Sequence, residues 1–245
     1  MNTWTPRRVW PDAESSSPEY AKRFAGGVGA FFLETQLEEV VNRLQESSCH
    51  SVLDVGGGHA QLSAPLVERG FAVTLLGSAN ACRLLMDRRL PAGGFDFQLG
   101  DLCPLPFADD AFDAVVAVRM LAHLEEWQDM LSEMCRVAKN TVIVDFPARQ
   151  VWNSLGSLGF LVKNAIERDT RRYRSFSESE VVDQITSSGF EPSASYRQFA
   201  FPMAFHRAFR SPRLSRIAER AGRAVGLSSK IGSPVLLTAK AMSAR

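Results

Sequence analysis

The stretch that decides the fold is SVLDVGGGHAQLSAPLVERG, which runs from Ser51 to Gly70. It begins with a short apolar run, passes through three consecutive glycines, and continues with apolar residues at helical spacing up to Gly70. The pattern predicts a strand, a tight turn and a helix, in that order. Gly56 and Gly58 would let a ligand approach the backbone closely, and the start of the helix would offer unpaired N–H groups.

The same alternation of predicted strands and helices continues as far as Pro147. Short apolar runs alternate with segments of helical spacing: FAVTLLG, NACRLLMDRRL, FDFQLGD, FDAVVAVRML, WQDMLSEMCRVA and TVIVDFP. Most of these runs lack an alternation of apolar and polar residues, which is typical of strands buried on both faces of a parallel sheet. The sequence therefore predicts a doubly wound α/β core over about residues 51–147.

Composition limits the possible partners and the compartment. The chain has 245 residues, 45% of them hydrophobic, and a formal net charge of +1, so we expect a soluble globular protein that does not bind nucleic acid. Its four cysteines are widely spaced and form no metal-ligand cluster, so we expect no metal and a reducing cytoplasm. No stretch reaches the roughly 18 apolar residues of a spanning helix.

The glycine turn is not a dinucleotide fingerprint, because Gln61 stands where that motif has glycine or alanine. The segment LDVGGGHA instead resembles the first motif, LDVGCGTG, of the class I S-adenosylmethionine-dependent methyltransferases, in particular their small-molecule "type 11"-like group. The resemblance continues in order through LGDLCPLPFADDAFDAVVAVRMLAHLEEWQDMLSEMCRVAKNTVIVDF. It implies a Rossmann-like, mostly parallel sheet of seven strands with helical additions and an antiparallel last strand. SYRQFAF and SPVLLTAKA can supply the final two strands.

The resemblance also implies one methyltransferase domain over residues 1–245. Its parts are an N-terminal lid with helices (1–48), a cofactor-binding core (49–147), a cap (148–176) and a C-terminal part (177–245) with a basic helical insertion (202–232). Ser177 and Glu180 have the spacing of a capping box, so a helix should begin there.

S-adenosylmethionine is the implied cofactor, and the resemblance assigns residues to each of its ends. Asp54 would interact with the ammonium group, Asp101 would accept a hydrogen bond from the adenine amino group, and the backbone of Leu102 would lie at the ring edge. Tyr20 and Arg23 resemble a lid over the methionine end, although an exposed amphipathic helix also explains them. The complete cofactor set is Tyr20, Arg23, Asp54, Gly56, Gly58, Gly77, Ser78, Asp101, Leu102 and Val118.

The chain departs from the family at the end of the second strand. Gly77 stands where relatives usually place an acid that binds both ribose hydroxyls. Ser78, Asn80 or backbone N–H groups could bind the ribose instead, although more weakly than a carboxylate. Together with Ala60, which replaces the last glycine of the motif, this departure leaves an alternative function open: a non-catalytic cofactor binder or a degenerate partner subunit.

His123 is the candidate catalytic base. It stands where the family often has a histidine, and the ordinary histidine pKa of about 6.5 suits proton removal from a hydroxyl or phenol. The alternative is a histidine that only begins a helix. Candidate substrate contacts are Arg119, Asp145, Arg149 and Tyr173, each of which could equally serve in an ordinary surface ion pair. The predicted activity is methyl transfer to a small-molecule or lipid-linked acceptor, at oxygen.

The basic insertion contains an amphipathic helix within residues 212–227. One face carries the apolar side chains, and arginines occupy the rest: Leu214, Ile217, Ala218, Ala221 and Val225 form the apolar face. The pattern favours a helix whose apolar face packs on the core. The alternative is peripheral contact with an anionic lipid surface, which would place a cytoplasmic protein at the membrane.

Overall fold

A computed structural model of the protein describes residues 10–15, 17–58, 60–149 and 173–242. They build one seven-stranded sheet in the order β3-β2-β1-β4-β5-β7-β6. The strands are β1 Ser51–Val55, β2 Ala72–Gly77, β3 Phe95–Leu99, β4 Phe112–Ala117, β5 Ala138–Phe146, β6 Phe190–Arg197 and β7 Val235–Ala241. Only β7 among them runs antiparallel to its neighbours, β5 and β6. The predicted fold class is confirmed.

Helices cover both faces of the sheet. They are α1 Pro11–Ser15, α2 Pro18–Lys22, α3 Gly26–Glu46, α4 Ser63–Glu68, α5 Asn80–Arg89, α6 Trp127–Val137, α7 Glu178–Ser187, α8 Met203–Phe209, α9 Pro212–Ala224 and α10 Leu227–Ile231, with a short 3₁₀ helix at Leu121–His123. The side chains of neighbouring strand residues point to opposite faces of the sheet. Val52 packs in a cluster with Val40 of α3, whereas Leu53 packs in a cluster with Met130 of α6. This two-sided burial explains the near-continuous apolar runs.

Two predicted boundaries differ from the structure. The helical spacing of AQLSAPLVERG begins at residue 60, whereas helix α4 begins at Ser63, because Ala60 adopts a left-handed conformation with φ of 52°. Strand β6 runs over Phe190–Arg197 and not over residues 195–201. It tolerates Pro192 because it lies at the sheet edge, where the register shifts.

The capping box at the start of α7 is confirmed. The Glu180 N–H donates to the Ser177 hydroxyl oxygen at 3.2 Å, and the Ser177 N–H donates to the Glu180 carboxylate at 2.8 Å. Most of the predicted cap, residues 150–172, lies outside the described residues. No helix in the described ranges is both long and apolar enough to cross a membrane.

Helix α9 packs on the protein through a polar face, so the prediction that its apolar face packs on the core was wrong. Ser215, Glu219 and Gly222 are buried, whereas Leu214 and Ile217 are exposed. The Glu219 carboxylate explains this orientation, because it accepts hydrogen bonds from the N–H groups of residues 200 and 201 at 2.8 and 3.1 Å. These donors leave the sheet after β6 and need acceptors in a buried setting.

Candidate active site

The turn after β1 combines two left-handed residues with a glycine that leaves no room for a side chain. Gly56 has φ of 72° and Ala60 has φ of 52°. A Cβ on Gly57 would lie 2.4 Å from Asp54 Oδ2 and 2.8 Å from Leu75 Cδ1. Each of these positions keeps the backbone tight against the carboxyl end of β1.

Asp54 is a buried carboxylate beneath this turn. Its side chain is 1% exposed and accepts a hydrogen bond from the Ser63 hydroxyl, at the first residue of α4. Burial raises the pKa of Asp54 to about 6, against the opposing effects of the Ser63 hydrogen bond and the Arg119 guanidinium. A cationic group placed beside Asp54 would favour its ionised form.

Arg119 stands just beyond β4, next to a second buried carboxylate. Its φ is 62°, and its N–H donates to Asp145 Oδ1 at 2.5 Å, while Gln36 donates to the other oxygen at 2.8 Å. Burial raises the pKa of Asp145 to about 6, opposed by the Arg119 N–H and guanidinium. The Arg119 side chain donates to Gln61 Oε1 at 2.7 Å and lies over the Phe24 ring at 4.8 Å. Backbone and side chain thus hold the guanidinium in one orientation.

These groups surround a cavity at the carboxyl ends of β1 and β4, where open α/β sheets bind ligands. Its unfilled space is about 350 Å³, part of which is open to solvent. The cavity is lined by Tyr20, Asp54, Gly56, Gly57, Gly58, Gln61, Leu62, Val118, Arg119 and Met120. Six of these residues belong to the predicted site: Tyr20, Asp54, Gly56, Gly58, Val118 and Arg119.

The predicted catalytic histidine lies in the 3₁₀ helix after β4. Its N–H donates to the Met120 carbonyl at 3.0 Å, and its ring packs edge-on against Tyr173, with 5.8 Å between centroids. Burial of the phenol, with the charges of Asp145 and Tyr20, raises the pKa of Tyr173 to about 12, although 46% of the side chain as a whole is exposed. Neither His123 nor Tyr173 lines the cavity described above.

Arg149 and Arg23 also lie outside the cavity lining. Arg149 is exposed and donates to both carboxylate oxygens of Glu180, at 3.1 and 2.8 Å. The structure thus places Arg149 in a surface ion pair, one of its two expected roles. The Arg23 guanidinium lies over the ring of Tyr20, a lining residue, at 5.5 Å.

The N-terminal segment crosses the ends of β2 and β3, an arrangement that sequence reasoning missed. Trp10, 2% exposed, donates from its indole N–H to Asp101 Oδ1 at 3.0 Å. Asp12, fully buried, accepts from the Ser78 N–H at 2.7 Å and from the Ser78 hydroxyl at 2.5 Å. A side chain at Gly77 would meet Cys82 Cβ at 2.9 Å, so the space beside β2 admits no acid there. Leu102 is buried in the same apolar cluster as Trp10.

The site fits the chemistry of S-adenosylmethionine. Its methionine end carries an ammonium and a carboxylate, and the cavity offers the Asp54 carboxylate and the Arg119 guanidinium beside an open glycine turn. The Asp101 and Asp12 carboxylates lie at the adjoining strand ends, where the hydrogen-bond donors of an adenosine would need acceptors. Four residues of the site were not predicted from the sequence: Gln61, Met120, Trp10 and Asp12. Of these, only Asp12 carried a signal in the sequence, because it is an acid.

Comparison with known proteins agrees with this geometry. Residues 53–144 match the family model Methyltransf_11, described as a methyltransferase domain. Among curated proteins, the chain is 34% identical over 136 residues to "Methyltransferase GfsG" of Streptomyces halstedii, covering 53% of this chain and 45% of that protein. It is 39% identical over 88 residues to a demethylmenaquinone methyltransferase of Renibacterium salmoninarum, covering 36% of each. The matches thus span less than half the length of these relatives.

Solved structures agree over a larger part of the chain. The structure of magnesium protoporphyrin IX methyltransferase (ChlM) from Synechocystis PCC 6803 with bound S-adenosylhomocysteine superposes with a TM-score of 0.64. The superposition covers 94% of this chain and 98% of the ChlM chain. At 15% sequence identity it shows a similarity of fold. The family model assigns residues 53–144 to a methyltransferase domain, and the fold of the described residues resembles that of the solved methyltransferase structure.

Proposed function

We propose that this chain transfers a methyl group from S-adenosylmethionine to an oxygen atom of a small-molecule or lipid-linked acceptor. The observation that carries the proposal is the cavity at the ends of β1 and β4, where the glycine turn meets the buried Asp54. S-adenosylmethionine, when bound, supplies a methyl group already activated on a sulfonium. The protein's contribution is therefore mainly the positioning of the two reactants.

The cavity offers groups of opposite charge for the two charged groups at the methionine end of the cofactor. The ionised Asp54 carboxylate would bind the ammonium group. Burial favours the protonated form of Asp54, and the bound cation would oppose that effect by stabilising the ionised form. Arg119 is the cation on the cavity wall and would pair with the carboxylate, while Tyr20 would cover this end. Arg23, stacked on Tyr20, would support the cover.

For the adenosine end we propose that Asp12 takes the place of the acid missing at Gly77. Its carboxylate lies within hydrogen-bond distance of Ser78, the residue that directly follows Gly77 at the end of β2. Asp12→Asn should weaken binding of adenosylhomocysteine roughly 10- to 100-fold, the usual effect of losing a charged hydrogen bond. Asp183→Asn, a change at an exposed position in α7, is the matched control. Tighter binding by Asp12→Asn would mean that the segment competes with the cofactor.

The acceptor side rests on His123 and Tyr173. Their packed rings lie beyond β4, and we propose that an acceptor hydroxyl approaches them and loses its proton to His123. Curated relatives include an O-methyltransferase from Penicillium expansum, 29% identical over 107 residues, which supports oxygen as the methylated atom. The demethylmenaquinone methyltransferase relative supports a ring-containing acceptor.

Calorimetry followed by a turnover assay tests the proposal. The purified chain should bind S-adenosylmethionine and adenosylhomocysteine, and it should transfer a labelled methyl group to at least one member of a panel of phenols and hydroquinones. Gly58→Val should abolish binding without unfolding the protein, because a branched side chain would fill the ligand's approach. Failure of both ligands to bind at millimolar concentration would end the enzyme hypothesis for this chain. Binding without turnover on any acceptor would favour the non-catalytic alternative.

A further inference from the structure

Helix α9 carries an exposed apolar stripe along one side. Leu214, Ile217 and Val225 are 48%, 62% and 77% exposed. Val225 directly follows the helix. At roughly 100° per residue, the three positions lie within about 80° of one another and about 130° around the helix from the buried Ser215 and Glu219. This stripe of large exposed apolar side chains is the starting point for a candidate contact surface.

The charge around this stripe has one sign. Residues 202–232 contain seven arginines and lysines and a single acid, Glu219, although the whole chain has a net charge of only +1. That acid is buried and bonded to backbone N–H groups, so it does not offset the surface charge. Arg213 and Arg220 border the apolar stripe, and both are exposed. The stripe and its border therefore combine apolar contact with positive charge.

The same segment is bonded to the lid of the cavity. Arg216 of α9 forms an ion pair with Glu34 of α3. Arg207 of α8 donates to the carbonyl oxygen of Arg23, whose guanidinium lies on the Tyr20 ring. Tyr20 lines the cavity. A partner that binds α9 would therefore be connected to the cavity through Arg207, Arg23 and Tyr20.

We infer that the exposed face of α9 docks on an anionic phospholipid surface. The apolar side chains would enter the boundary between headgroups and acyl chains, and Arg213 and Arg220 would bind lipid phosphates. A second copy of the chain fits this face less well, because a two-fold contact would bring arginines together without an acid to pair them. The inference goes beyond the proposed methyl transfer, since docking needs no bound cofactor.

Vesicle sedimentation tests the inference. The intact protein should sediment with vesicles of phosphatidylcholine and phosphatidylglycerol, bind weakly to phosphatidylcholine alone, and be released by salt. The double variant Ile217→Ser with Val225→Ser should lose at least tenfold in affinity for the anionic vesicles. Arg213→Glu with Arg220→Glu should lose at least as much and should no longer prefer anionic lipid.

Matched controls separate docking from folding. Leu84→Ser changes a residue that is 57% exposed on α5, and it should bind vesicles like the parent. All variants alter exposed positions and should keep the parent's thermal midpoint. Equal binding to both vesicle types, or undiminished binding by the Ile217 double variant, would overturn the inference. So would a dimer in solution that this variant dissociates. Each readout is independent of methyl transfer, so failure here leaves the proposed function standing.

Discussion

Gly57→Ala is the sharpest test of how the turn supports the site. The new Cβ would lie 2.4 Å from Asp54 Oδ2 and 2.8 Å from Leu75 Cδ1. Ordinary contacts of this kind are roughly 3.5 Å, so the carboxylate must move by about 1 Å or the turn must open. Asp54 is 1% exposed and held by Ser63, which leaves it little freedom. Overpacking of this kind costs about 1–3 kcal/mol of stability.

The same displacement should reach the ligand. A shifted Asp54 loses its position beside the cavity, so we expect adenosylhomocysteine affinity to fall about 10- to 100-fold, as for a misplaced charged hydrogen bond. Thermal unfolding and titration calorimetry measure the two effects separately. Gly70→Ala is the control: Gly70 has φ of 88° and open space around it, so its substitution should cost about 1 kcal/mol through backbone strain alone. Unchanged affinity and midpoint in Gly57→Ala would refute the steric reasoning.

Four further predictions use the titrating and hydrogen-bonding groups of the site. Because the pKa of Asp54 is raised to about 6, adenosylhomocysteine binding should weaken as pH falls below 6, and Asp54→Asn should flatten that profile in calorimetry. The pKa of Asp145 is raised above its unfolded value, so the folded state binds more protons than the unfolded state between about pH 4 and 6. The parent's thermal midpoint should therefore rise as pH falls from 7 to 5, and the midpoint of Asp145→Asn should rise less. His123→Ala should lower turnover roughly 10²- to 10⁴-fold at unchanged cofactor affinity, with a smaller loss near the acceptor's own pKa; full activity per folded molecule across pH would remove it as the base. Asp101→Ala should weaken adenosylhomocysteine binding by about 1–3 kcal/mol, and an equal loss with an analogue lacking adenine would show that it does not contact the base.

Local patterns predicted the fold because each strand and helix carries its own signal. The run before Gly56 is apolar enough to be buried on both faces, and the spacing of Ser177 and Glu180 defines a helix start without reference to the rest of the chain. Asp54 was assigned by the family resemblance and Arg119 was named as a substrate contact. Both stand at strand ends that converge at one edge of the sheet, where they line one cavity.

Packing between distant segments could not be predicted in this way. The apolar spacing of α9 correctly marks an amphipathic helix, but it does not say which face the protein covers. That choice depends on Glu219, whose carboxylate meets two backbone donors that exist only because β6 ends at Arg197. Gly57 was passed over for a similar reason, because its neighbours include Leu75, which belongs to another strand.

The bonds of the N-terminal segment have a consequence for the order of assembly. Trp10 finds its partner 91 residues further along the chain, and Asp12 finds Ser78 after 66 residues. A ribosome releases the N-terminus first, so neither bond can form until β2 and then Asp101 have been synthesised. The segment can therefore close across the ends of β2 and β3 only after Asp101 has emerged, while β4 to β7 have still to be synthesised. A fusion partner placed ahead of Trp10 would be carried to the strand ends of β2 and β3.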